Sequence, residues 1–227
     1  MRWPGPLIRA SFVMRENRFH ARALMNGKGV DCHVPNTSHL RDFLEPGATV
    51  FLMAAAGSGR KLSFEMVAVE TPSGLVSVDT KVPNRLFAEG LRAGTFKDFG
   101  RGAELETEVW VDGSRMDFAV SPPQSIIEVK SCMLARDGVG WFPDPASERA
   151  TRHMGELARA ARRGIRAFVY FFVQRMDVGA LSANDTVDPG FGRSFRTALK
   201  AGVIARACRC RVTLDEVIIE SSVRILV

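Results

Sequence analysis

The sequence predicts two units of different class in one chain: a small all-β barrel over residues 1–82, then an α/β domain with a mixed central sheet over residues 83–227, α+β overall. Three observations carry this reading. Between Leu7 and Asp79, short segments of alternating apolar and polar residues are separated by glycine and proline. After Pro83 the apolar spacing lengthens to helical periods that alternate with strand-like runs. Residues 167–173 then form a near-continuous apolar run, as expected of a strand covered on both faces. At 227 residues and 46% hydrophobic content, the chain can bury a sizeable core.

In the first unit, alternation at residues 19–24, 49–53 and 62–69 predicts strands, and five or six of these in about 70 residues suit a compact barrel. The oligonucleotide-binding (OB) barrel is the commonest such fold with basic residues on its surface. Arg9, Arg15, Arg18, Arg22, Arg60 and Lys61 supply those residues, interleaved with Phe12, Phe19 and Phe64. Taken singly, each arginine also reads as a solvated surface residue and each phenylalanine as core.

In the second unit, Asn84 reads as the cap of a helix running to Arg92 and stopped by Gly94. Strands are predicted at 105–111, 116–120 and 125–132. A helix at 146–163 turns Ala150, Met154, Leu157, Ala158 and Ala161 inward and Arg149, Arg152, Arg159, Arg162 and Arg163 outward. Beyond the strand at 167–173, a helix at 191–201 stops at Gly202, and strands follow at 203–212 and 217–219.

Lys+Arg number 31 against 25 Asp+Glu, a net charge of +6 carried mostly by arginine. A basic surface favours a polyanion such as nucleic acid, and arginine grips phosphate with a planar fork. A high-GC genome gives the same arginine bias. The N-terminus has no apolar core of signal-peptide length, and no run approaches the roughly 20 residues of a membrane span, so a cytoplasmic protein is expected. Cys32, Cys132, Cys208 and Cys210 are too few and scattered for a disulfide scaffold. Cys208 and Cys210 share one face of a strand, which reads as a buried face or as a zinc pair; no second ligand pair follows at metal spacing. Nor do His20, His33, His39 and His153 pair at zinc spacing, so no structural zinc is expected.

The stretch that carries chemistry runs from Ser114-Arg115-Met116-Asp117-Phe118 to Ile127-Glu128-Val129-Lys130. On a strand Glu128 and Lys130 point to the same side. A hairpin turning at residues 121–124 would bring Asp117 beside Glu128. Two carboxylates among Phe118, Val120, Ile126 and Ile127 repel each other unless a cation lies between them. An all-oxygen set with positions left for water suits Mg²⁺ or Mn²⁺, which activates water toward a phosphodiester. Lys130 would then position or deprotonate the water, or stabilise developing negative charge. A cross-strand ion pair at a sheet edge is the other reading of this spacing.

The two acids and the lysine on central strands, between a helix bearing Glu89 and an arginine-rich helix, resemble the PD-(D/E)xK nuclease superfamily and its restriction-endonuclease-like core. A closer resemblance spans nearly the whole chain. Met1-Arg2-Trp3-Pro4, Arg18-Phe19, Pro35-Asn36-Thr37, Leu44-Glu45-Pro46-Gly47, Pro83-Asn84-Arg85-Leu86, Arg115-Met116-Asp117-Phe118, Glu128-Val129-Lys130, Phe142-Pro143-Asp144, Val173-Gln174-Arg175 and Asp188-Pro189 resemble the sugar fermentation stimulation protein A (SfsA) family.

That resemblance implies an N-terminal OB barrel, a nuclease-like C-terminal domain, nonspecific DNA binding and a role in regulating sugar metabolism, notably of maltose. It implies metal ligation by Asp117 and Glu128, with Lys130 at the water and Glu89 as a third, helix-borne acid of the catalytic set. Asp144, Arg149, His153 and Gln174 would line the rim, and DNA would lie against Arg9, Arg18, Arg60, Lys61, Arg149, Arg152 and His153. The resulting expectation is a DNA-binding protein with a divalent-metal-dependent nuclease site, an Mg²⁺-dependent endonuclease or phosphodiesterase. The alternative is a non-catalytic DNA-binding regulator of sugar metabolism on the same fold. A homodimer is permitted but not demanded.

Overall fold

The computed structural model describes residues 1–38, 40, 42–55 and 62–227; the predicted DNA contacts Arg60 and Lys61 lie outside the described residues. The chain divides into two compact units. The first comprises Met1–Val82, Gln174–Met176 and Cys210–Ile218, and the second Pro83–Val173, Asp177–Arg209 and Ile219–Val227.

Five strands of the first unit close on themselves. They are β1 (Ile8–Asn17), β2 (His20–Met25), β3 (Lys28–His33), β4 (Thr49–Ala54) and β5 (Phe64–Thr71). The antiparallel pairs β1–β2, β2–β3, β1–β4 and β4–β5 form the wall, and the parallel pair β3–β5, in register Cys32↔Phe64, closes it. Ala10, Phe12, Ala21, Ala23 and Cys32 alternate inward and are buried, so the two-residue period of the sequence is the barrel's inside and outside. This is the OB barrel expected from the strand count. β6 (Gly74–Ser77) extends β5 antiparallel.

α1 (Val82–Arg92) opens the second unit, which takes all of the helix but Val82. Here the expected cap is corrected. The Asp79 carboxylate accepts the Lys81 N–H at 2.9 Å, so the helix starts ahead of Asn84, which lies inside the first turn. Pro83 sits where a missing N–H costs nothing.

The mixed central sheet contains β7 (Glu104–Val111), β8 (Ser114–Ser121), β9 (Ser125–Cys132), β12 (Arg166–Val173) and β14 (Ile204–Val212), whose last three residues count with the first unit. β7–β8 and β8–β9 pair antiparallel, while β9–β12 and β12–β14 are parallel. α2 (Glu148–Arg162) is capped by Ser147 and α3 (Pro189–Lys200) by Asp188. Both pack on the sheet face bearing Val169 and Phe171. On the opposite face, Phe87 of α1 lies 5.0 Å from Phe118 and 5.1 Å from Tyr170 between ring centroids, an aromatic layer under the helix.

A second, small sheet escapes sequence reasoning: β10 (Ala135–Arg136), β11 (Val139–Phe142), β13 (Ala180–Ala183) and β16 (Arg224–Leu226). β15 (Val217–Ser222) pairs β14. Three tight hairpins share one device. Asn26-Gly27, Asp112-Gly113 and Asp137-Gly138 each place two successive residues at positive φ, which asparagine or aspartate followed by glycine tolerates.

Candidate functional site

The site lies where β8 and β9 part. Their ladder runs from Val120↔Ser125 to Phe118↔Ile127 and stops there. On the other side of β8, Glu108 stands at φ 58 between the pairs Thr107↔Phe118 and Val109↔Met116. At the fork the Asp117 side chain takes over from backbone pairing. Its Oδ2 accepts the Val129 N–H at 2.8 Å, and its Oδ1 accepts the Asn84 side-chain amide at 3.0 Å. The carboxylate is thus held by β9 and by the first turn of α1.

Glu128, one step beyond the ladder on β9, is 2% exposed. Both of its partners converge on a single oxygen. Lys130 Nζ and His153 Nδ1 each lie 2.5 Å from Glu128 Oε1. Glu128 Oε2 is buried and has no hydrogen-bond partner among the described residues.

Burial and the neighbouring Glu128 charge push the Asp117 carboxyl above its ordinary range, against the pull of the Val129 N–H, Lys130 and Asn84. For Glu128 burial acts in the same upward direction, but Lys130 and His153 together outweigh it and hold the carboxyl below its ordinary value. The charged form is thus favoured at Glu128 and disfavoured at Asp117, by burial first and by the Glu128 charge second. An oxygen-preferring cation beside the pair would favour both charged forms, and Glu128 Oε2 is an oxygen that could ligate it.

The structure thus brings Asp117, Glu128 and Lys130 together, and adds two groups that sequence reasoning assigned elsewhere. Asn84, expected as a cap, binds Asp117. His153, expected as a phosphate contact on the rim, is corrected: it is 1% exposed and faces Glu128. Its inward direction was available from its spacing, since residues 150, 153, 154 and 157 form one helical stripe. Glu89 is exposed on α1, and no third acid gathers with Asp117 and Glu128 into a compact ligand group among the described residues. Asp144 is exposed. Gln174 is fully buried in a segment of the first unit, and neither polar atom of its side chain has a hydrogen-bond partner among the described residues.

Of the arginines expected at DNA, Arg18 and Arg149 are exposed, with no acid partner among the described residues. Arg152 lies 3.8 Å from the buried Glu156, and Arg9 lies 3.5 Å from Glu70. Arg15 is half-buried and donates to the backbone carbonyls of Asn36 at 2.7 Å and Ser38 at 2.5 Å. Phe12 is core, whereas Phe19 is 46% exposed beside the His33 ring. Among the described residues the only compact group of three ligand-type side chains is Glu16, His20 and Asp31, and Arg22 already pairs with both of its acids. All four cysteines are buried. No helix of the described chain is long and apolar enough to cross a membrane.

Comparison with known proteins finds two family models that match successive stretches of the chain. Residues 13–78 match the SfsA N-terminal OB domain, and residues 81–216 match the sugar fermentation stimulation protein RE domain. The chain is 40% identical to the sugar fermentation stimulation protein homolog of Chloroflexus aurantiacus, over 92% of this chain and 81% of that one. It is 38% identical to the homolog of Moorella thermoacetica, over 92% of each. The structure of Pyrococcus furiosus SfsA in complex with Ca²⁺ shares the fold at a TM-score of 0.93 and 24% identity, covering 100% of this chain and 98% of that one. The chain therefore belongs to the sugar fermentation stimulation protein (SfsA) family.

Proposed function

We propose that this protein binds DNA and hydrolyses its phosphodiester bonds at a divalent-metal site formed by Asp117, Glu128 and Lys130. The observation that carries the reading is the buried acid pair, with Glu128 Oε2 having no hydrogen-bond partner among the described residues. Asp117 and Glu128 Oε2 would hold Mg²⁺ or Mn²⁺, both hard ions that prefer oxygen. Support comes from the Pyrococcus furiosus SfsA, which was solved with Ca²⁺, another oxygen-seeking divalent ion. Bound there, the metal would polarise a phosphate oxygen and lower the pKa of water. Lys130 brings a positive charge to the same side of β9, where it can donate to a water or to the phosphate as negative charge develops. The OB barrel, with its exposed arginines and Phe19, adds a surface suited to phosphates and bases.

A second reading, DNA binding without turnover, is favoured by one observation: Lys130 is engaged with Glu128 at 2.5 Å. Fluorescent single- and double-stranded DNA, incubated with wild type and Lys130→Ala in Mg²⁺ and in EDTA, separates the two. Cleavage predicts shorter products only with wild type and Mg²⁺, the variant being slower by about 100-fold or more. Salt-sensitive binding with intact DNA throughout would overturn hydrolysis and leave the second reading.

A further inference from the structure

We infer that His153 is the positioning residue of the metal site, orienting Glu128 so that Oε2 and not Oε1 faces the ion; this rests on the metal reading above. A carboxylate that receives donors on one oxygen presents the other. Two donors meet Glu128 Oε1, but they differ in kind. Lys130 reaches it with a long, flexible side chain that keeps 11% of its surface exposed. His153 projects from the inward stripe of α2, where Ala150, Met154 and Leu157 are locked in the core. The His153 ring is 1% exposed, and burial on this packed stripe makes it the fixed contact of the two. Because the ionised Glu128 only accepts, the Nδ1 atom of His153 carries the proton. Hydrogen-bond partners of this kind behind a ligating side chain set its orientation, and losing one weakens metal binding about 10–100-fold.

Two substitutions isolate the donor from the packing. In His153→Asn the side-chain amide can stand where Nδ1–H stood; His153→Leu fills space without donating. Titration calorimetry with Mn²⁺ alone is expected to show affinity lowered by about 10–100-fold in His153→Leu and within a few-fold of wild type in His153→Asn. Equal affinity in wild type and His153→Leu would overturn the inference, as would an Asn variant as weak as Leu. Wild type that takes up no Mn²⁺ would instead overturn the metal reading beneath it. The ¹⁵N spectrum of histidine-labelled, metal-free wild type tests the contact without any substitution. It should show a proton on His153 Nδ1, and a ring lacking that proton would refute the contact.

Discussion

Asp117 illustrates how one side chain serves both the fold and the chemistry proposed for it. Its two oxygens accept from Val129 N–H and from Asn84, so the carboxylate helps close the β8–β9 fork. Yet burial and the Glu128 charge make its ionised form unfavourable. An asparagine keeps an acceptor for Val129 and removes the charge. Metal-free Asp117→Asn should therefore be more stable than wild type at pH 7 by about 1 kcal/mol, roughly 2–4 °C in thermal midpoint, and should lack the stabilisation by Mg²⁺ that the proposed metal site predicts for wild type. A variant that melts below wild type would mean that the hydrogen bonds outweigh the repulsion. At this scale much of the site was legible, because the period of two and the spacing between Asp117 and Glu128 follow from strand geometry alone. Asn84 and His153 were not, since each served a tertiary contact over the local role that its residue type suggests.

Between elements, Asp98 joins the segment after α1 to two strands. It accepts from Tyr170 Oη of β12 at 2.8 Å and from the Arg206 guanidinium of β14 through both oxygens. Burial would raise its pKa, but the Arg206 and Tyr170 hydrogen bonds prevail and hold the carboxyl below its ordinary range. A depressed carboxyl contributes stability that is present above its unfolded value and is lost as pH falls through the folded one. Asp98→Asn should cost about 1–2 kcal/mol at pH 7, a modest figure because Arg206 is half-exposed, and the gap to wild type should close as pH drops below about 4. Urea unfolding of both proteins across pH measures this, and a gap that stayed constant would contradict it. The long helices and central strands were legible because their apolar periods extend over several residues. The small sheet was not, because β10 and β16 have only 2 and 3 residues, too few for an alternation to emerge. The Asp137-Gly138 turn was its one local signal.

For the whole molecule, net charge overstates the number of cations free to meet DNA in the proposed function. Arg163, the C-cap of α2, forks onto Asp112 through two hydrogen bonds at 3.0 and 2.7 Å, while Arg149 in the first turn of α2 stands exposed. Only an unengaged cation exchanges its counterions for phosphate. Arg149→Ala and Arg18→Ala should each lower the salt slope of DNA affinity by about 1, and Arg163→Ala should leave it nearly unchanged. Fluorescence anisotropy over a salt series reads this directly; equal losses at all three positions would mean that total charge, not the pairing, governs binding. The return of residues 174–176 and 210–218 to the first unit had no sequence signature, because long-range pairings such as Val212↔Leu75 leave no local period.

Anomalous diffraction from crystals grown with Mn²⁺ shows whether Asp117 and Glu128 hold a divalent ion. A peak is expected within ligand distance of an Asp117 oxygen and Glu128 Oε2, with His153 still on Oε1. Manganese found only at Glu16, His20 and Asp31, or no manganese beside Asp117 at saturating concentration, would contradict the metal reading.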